Sequence, residues 1–288
     1  MKKILHYIQP FAIFLLLIIN AIDTEAQKKA ARHNDITVTR ANNISIIKKW
    51  EMPHVLREVS GIEWLGNNRI ACIQDEKGTI YIYNTVGDSI EKEIPFQGDF
   101  DFEGIALAGK TIYAIRSNGI LYSINDYNSS KPLVKEYVTG LTTKQNTEGL
   151  CYDAKHNRLL ISIKGKEPNT KEYKGIYAFD IATKKFDPVP VLKIQLNDPV
   201  FSNEGKQAMR PSDLAIHPAT GDLYILDGEE PKLLIMGADG KHKKLLHMNK
   251  SDFHLAEGIS FTPSGDMYIS NEGPILGKGN ILKVEVTE

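Results

Sequence analysis

A chain of 288 residues with 42% apolar content is long enough for one large globular domain. Its 35 Lys and Arg are scattered among 36 Asp and Glu, for a formal charge of −1, so there is no basic stripe of the kind nucleic acid requires. Two Trp are too few for a large aromatic platform that would hold sugars or bases.

The first residues read as an export signal. Lys2 and Lys3 form a basic start, Phe11 to Ile19 a short apolar core, and Thr24-Glu25-Ala26 a small-residue cleavage site. A membrane-spanning helix needs about 20 apolar residues, and His6, Gln9, Pro10 and Asn20 interrupt this run. Cleavage after Ala26 predicts an exported chain of the periplasm or cell envelope; an anchor left uncleaved is the alternative. No Cys lies near the cleavage site, which removes the usual lipoprotein attachment. Residues 27–43 read as a polar lead-in, and 44–288 as one domain.

The domain is a repeat. Ser60-Gly61-Ile62, Glu103-Gly104-Ile105, Glu148-Gly149-Leu150, Ser212-Asp213-Leu214 and Glu257-Gly258-Ile259 recur at spacings of 43, 45, 64 and 45 residues. Each step opens a β-rich run, followed by a polar turn and further short runs bounded by Gly, Asn, Asp and Pro. Four short strands per repeat of about 45 residues make a propeller blade. The long third spacing places extra loop in 167–174 and 197–210. The last unit lacks a fourth strand, and Ile44 to Trp50 has the character to supply it. The expected fold is therefore all-β, a five-bladed β-propeller closed by an N-terminal strand, with six blades as the alternative. Cys72 and Cys151 fall on non-adjacent repeats and read as small buried apolar residues.

In a propeller the start of each innermost strand shares one mouth with the loops between second and third strands. The step positions bring Ser60, Glu103, Glu148, Ser212 and Glu257 to that mouth. Two residues earlier, on the same side of an extended chain, stand Glu58, Asp101, Asn146 and Arg210. The loops add Arg116, Lys164, Asp227 and Asn271, with Asp75 and Glu272 beside them. Glutamates converging on one axis repel one another, and oxygen donors at a flexible site suit Ca2+ best and Mg2+ second. The expected metal set is Glu103, Glu148 and Glu257, with Glu58 and Asp101 less central. Two bland readings compete: the glutamates accept backbone hydrogen bonds between blades, or Arg116, Lys164 and Arg210 neutralise them without a metal.

With these steps in order, the chain resembles the SdiA-regulated protein family, exported propellers distantly similar to NHL-repeat proteins. The likeness spans about residues 45–286. It is carried by Glu58-Val59-Ser60-Gly61-Ile62, Asp101-Phe102-Glu103-Gly104-Ile105-Ala106, Asn146-Thr147-Glu148-Gly149-Leu150, Ser212-Asp213-Leu214-Ala215-Ile216-His217-Pro218 and Ala256-Glu257-Gly258-Ile259. The resemblance implies five blades with a calcium site in the channel and no established activity. The functional expectation is a monomeric module that binds a small ligand, glycan or peptide, and no nucleic acid. The alternative is a metal-dependent hydrolase: residues 256–271 also resemble lactonase and esterase propellers, in which case Asn146 and Asn271 join the metal and His54 or His254 is the base.

Overall fold

The computed structural model describes residues 38–39, 43–204 and 208–287. The expected export signal lies outside the described residues. Among those described, no helix is long and apolar enough to cross a membrane.

Each repeat folds into a four-stranded antiparallel sheet, with strands A to D running from the axis outward. In blade 1 these are Val59–Gly66, Arg69–Gln74, Thr79–Asn84 and Ser89–Pro95. Blade 2 comprises Phe102–Ala108, Thr111–Arg116, Ile120–Asn125 and Leu133–Val138. Blade 3 comprises Thr147–Asp153, Arg158–Ile163, Tyr173–Asp180 and Lys185–Gln195. Asp213–Ile216, Leu223–Asp227, Lys232–Met236 and His242–His247 make blade 4. Blade 5 takes Ala256–Phe261, Met267–Asn271 and Asn280–Val286, and its strand D is the N-terminal Ile44–Glu51. Strand A of each blade packs on strand A of the next, and that of blade 5 on that of blade 1. The fold is a five-bladed propeller, closed by the N-terminal strand.

Burial explains the pattern of each strand. Strands B and C lie between two neighbouring blades, so both faces are apolar, as in Ile70–Gln74 and Ile80–Tyr83. Strand D is outermost and alternates toward solvent, as in Ser89–Pro95. The closing strand is held by packing as well as by its ladder. Trp50 joins Met52, Ile62, Tyr83, Tyr268 and Ile281 in one core, and its indole Nε1 donates to the Thr85 carbonyl of blade 1 at 2.8 Å.

Two details differ from the sequence reading. Val38–Thr39, inside the supposed lead-in, pairs in parallel with Leu245 and Leu246 on the edge of blade 4. The insertion at 197–210 is not plain loop: Asp198 caps a short 3-10 turn over Pro199–Phe201, whose Val200 and Phe201 are buried. Two apolar residues between polar ones are too short a run to show any periodicity.

The step glycines are required by the closeness of the blades. A Cβ on Gly104 would lie 2.5 Å from the Glu148 carbonyl oxygen and 2.8 Å from the Leu150 nitrogen. Gly61 faces the Glu103 carbonyl and Gly258 the Ile62 nitrogen in the same way, at 2.9 Å each. Gly104→Ala must push backbone against backbone, so it is expected to destabilise by about 1–3 kcal/mol. A thermal melt followed by circular dichroism should show its midpoint lowered by several degrees.

Candidate cation site at the channel mouth

The ladder between strands A and B slips by one residue at the step of blades 1, 2, 3 and 5, between Val59 and Gly61, Phe102 and Gly104, Thr147 and Leu150, and Ala256 and Gly258. Such bulges re-aim side chains near sites. They break the simple alternation that placed step residues and their predecessors on one face. Blade 4 pairs Asp213 with Leu226 without a slip.

Three of the expected ligands do converge. Glu148 and Glu257 are buried, and the Lys164 ammonium lies 3.3 Å from a Glu148 oxygen and 3.8 Å from a Glu257 oxygen. Glu103 faces both of these carboxyls, and its own hydrogen-bonds to that of Asp101. Burial raises Glu103, and Glu148, Asp101 and Glu257 raise it further. Burial also raises Glu148 and Glu257, against the pull of Lys164. Burial alone would lower the Lys164 ammonium, but Glu257, Glu148 and Glu103 reverse that and hold it above the ordinary lysine range. Asn146, at φ 48°, donates its side-chain amide to Glu148.

A second group of acids occupies the rim. Glu58 is paired with Arg57. Burial pushes Glu272 up to about 8, with Glu257, Asp75 and Glu58 adding to it. Asp75 is pushed to about 6, first by burial and then by Glu58, Glu76 and Asp101. The Oδ1 atoms of Asp75 and Asn271 are buried without a hydrogen-bond partner, while Asn271 Nδ2 donates to Asn280 at 2.9 Å.

Five expected mouth residues are engaged elsewhere. Ser60 and Ser212 are buried and serve as staples, donating to the carbonyls of Phe102 and Ala256 on the next blade at 2.7 Å each. Their short side chains end at that contact, whereas the glutamates at the same step reach the mouth. Arg116 lies over the Phe100 ring, 3.7 Å from its centroid, and donates to the Tyr122 hydroxyl at 3.5 Å. Arg210 is paired with Glu229. Asp227 accepts from the Arg210 and Glu230 nitrogens at 2.8 and 3.3 Å and lies 3.6 Å from the buried Lys232, so it anchors a turn. Of the three cations weighed as direct neutralisers, Lys164 alone bonds to the step glutamates. Among the described residues, no three of His, Cys, Asp or Glu already enclose a point where a metal ion would sit. His254 lines an outer groove with Glu51, Lys278 and Asn280, and His54 belongs to a short 3-10 helix.

Two channel acids escape the sequence pattern. Asp213 stands where the other steps have Gly, and its carboxylate accepts from Ile259 of blade 5 at 2.8 Å and Leu150 of blade 3 at 3.3 Å. Burial raises it well above an ordinary Asp despite those bonds. Its one signal in the sequence is the break in the glycine column. Glu63 takes hydrogen bonds from the Leu107 backbone and the Ser260 hydroxyl, the latter at 3.3 Å. It keeps some accessible surface, but its carboxyl is desolvated, which pushes it up to about 8. An acid set between Ile62 and Trp64 is the corresponding clue.

Comparison with known proteins agrees with the fold. The SdiA-regulated family model matches residues 37–276. The chain belongs to the SdiA-regulated family. No curated protein sequence is significantly similar to it. Among solved structures, this family member is similar to the glutaminyl cyclase of Myxococcus xanthus, with 14% identity and TM-score 0.60 over 88% of this chain and 100% of that one. It is also similar to a chain of a nidogen/laminin complex, with 15% identity and TM-score 0.50 over 74% and 72%. Both likenesses are of fold alone.

The buried acids have measurable consequences. Asp213→Ala strips two buried backbone N–H groups of their acceptor and should destabilise by about 2–4 kcal/mol, while Asp213→Asn keeps an acceptor and loses less; urea denaturation separates them. Glu63 binds its proton more tightly folded than unfolded. Its stabilisation is therefore full below the ordinary Glu range near 4.5 and is lost as pH rises through about 8. Stability in chelator should fall across that window by at most about 1.4 kcal/mol per pH unit for this group. Glu63→Gln should flatten the decline by that share.

Proposed function

We propose that this chain is an exported calcium-binding propeller that acts as a binding module, its cation lying at the channel mouth where a small ligand, glycan or peptide docks. The observation that carries this reading is the Asp101–Glu103 carboxyl pair beside Glu148 and Glu257, a group of four acids in which, among the described residues, Lys164 is the one ammonium ion-paired and reaches only the last two. Carboxyls this close hold protons unless a cation takes their place.

The donors fit a hard ion. Carboxylate and amide oxygens suit calcium, and magnesium second; zinc would call for the imidazole or thiolate ligands that this mouth lacks. Asp101 and Glu103 would hold the ion, with Glu58, Asp75 and Asn271 nearest in chemistry, the last two each offering an unpartnered oxygen. A bound cation supplies charge neutralisation. The protein contributes a ring rigid enough to keep the carboxyls facing one another. Export rests on the first 26 residues. The hydrolase alternative has less support, since neither His54 nor His254 is joined to the mouth carboxyls by a described hydrogen bond or ion pair.

Calcium should raise the melting temperature of chelator-treated protein. At a hundredfold excess over Kd the gain is about 2.7 kcal/mol, or roughly 5–10 °C for a domain of this size. Protons compete for the same oxygens, so the shift should be larger at pH 8 than at pH 5.5, and Glu103→Gln should shrink it. Magnesium should act more weakly. No shift, together with no stoichiometric calcium in the purified protein, would sink the reading.

A further inference from the structure

Lys164 is the first residue beyond strand B of blade 3, at the base of the segment that makes this repeat longer than the others. Its backbone is fixed on both sides. The N–H donates to the Asn146 carbonyl at 2.9 Å, and its own carbonyl accepts from the Lys174 ammonium at 2.6 Å. The next residue must be glycine, because a Cβ on Gly165 would lie 2.3 Å from the Lys144 carbonyl oxygen and 2.5 Å from that of Gln145. Lys174 is steadied in turn by its place beside Gly175, whose N–H donates to the buried Glu167; Glu167 also accepts from the Tyr177 hydroxyl at 2.6 Å.

From this base the side chain spans the mouth. It meets Glu148 of its own blade at 3.3 Å and Glu257, two blades on, at 3.8 Å. Blade 4 lies between them, and its short step residue Ser212 bonds to the Ala256 carbonyl and brings no carboxyl of its own to the Lys164 ammonium. The Asp101–Glu103 pair has no such ammonium bonded to it among the described residues.

We infer that Lys164 is a tethered cation which occupies the Glu148–Glu257 side of the mouth and restricts the external ion to the Asp101–Glu103 side. This rests on the reading of the mouth as a cation site and adds how that site is limited. An ammonium held within 4 Å of two buried carboxylates repels a second positive charge brought to the same oxygens, by the same inverse-distance law that holds it there. Glu148 and Glu257 are thereby withdrawn from the external ion, which keeps its binding weaker than all four carboxyls together would allow. The extra segment of blade 3 positions the tether through the Lys174 contact.

Calcium titration by calorimetry on wild type, Lys164→Gln and Lys164→Arg tests this. Lys164→Gln frees two carboxylates and is expected to bind calcium at least about tenfold more tightly than wild type. Lys164→Arg keeps the charge and should stay near the wild-type value. Calcium binding by wild type with equal or weaker binding by Lys164→Gln overturns the tether and leaves the cation site standing. No binding by either protein overturns both. If Lys164→Gln does not fold in chelator, its melting temperature with and without calcium decides between them: a calcium-induced gain larger than that of wild type supports the tether, and a smaller one overturns it.

Discussion

The approach of five innermost strands to a common axis, close enough that backbone touches backbone, is the constraint on which the rest of the molecule depends. At Gly61, Gly104, Gly149 and Gly258 a Cβ would collide with atoms of the neighbouring strand or of its own sheet at 2.5–2.9 Å. The residue before each glycine is then carried by a bulge toward the seam between blades. A serine there reaches only the next carbonyl and becomes a staple. A glutamate extends past the seam and reaches the mouth. One steric rule therefore yields both the inter-blade bonds and the concentration of negative charge.

That charge is met in three ways at different depths. Asp213 is answered by backbone N–H groups from the blades on either side, at the one step where a carboxylate stands in the glycine column. Glu148 and Glu257 are answered by Lys164. Asp101 and Glu103 bond to each other, and among the described residues no cation is ion-paired with either. The unmet demand for positive charge is thus local to blade 2 and its rim neighbours, rather than spread evenly around the ring.

The repeat makes the ring legible, because a glycine column at near-constant spacing with β-rich runs between is what blades packed about one axis demand. The closing strand is legible because the last unit is short by one strand and Ile44 to Trp50 matches the gap. The mouth is only partly so. Glu103, Glu148 and Glu257 can be found because each stands at the repeat step with a side chain long enough to pass the seam. Ser60 and Ser212 come from the step, Arg210 from alternation and Arg116 and Asp227 from the loops after second strands, and none of these rules encodes the nearer partner that each side chain finds. Which of several nearby cations pairs with the glutamates depends on loop geometry that spacing does not encode. Glu63 sits in an apolar strand, where the pattern signals a strand and says nothing of the channel.

A fold similar to that of a glutaminyl cyclase and of a chain from a nidogen/laminin complex, at about one identical residue in seven, cannot by itself say what the channel holds. What distinguishes this chain must lie where its blades stop being alike. Those places are few: Ser at the steps of blades 1 and 4, Asp213 in the glycine column, Glu63 in blade 1, and the long third repeat. Three of them bear on charge along a single path. Ser212 removes a carboxylate from blade 4, Asp213 puts one back at the next residue where amides of blades 3 and 5 satisfy it, and Lys164, at the base of the long segment, meets the carboxylates of blades 3 and 5 on either side. Departures from a repeat that compensate one another across neighbouring blades mark a built arrangement. Blade 2 keeps both of its acids, and with no cation ion-paired to them among the described residues it carries the uncompensated part of the mouth's charge.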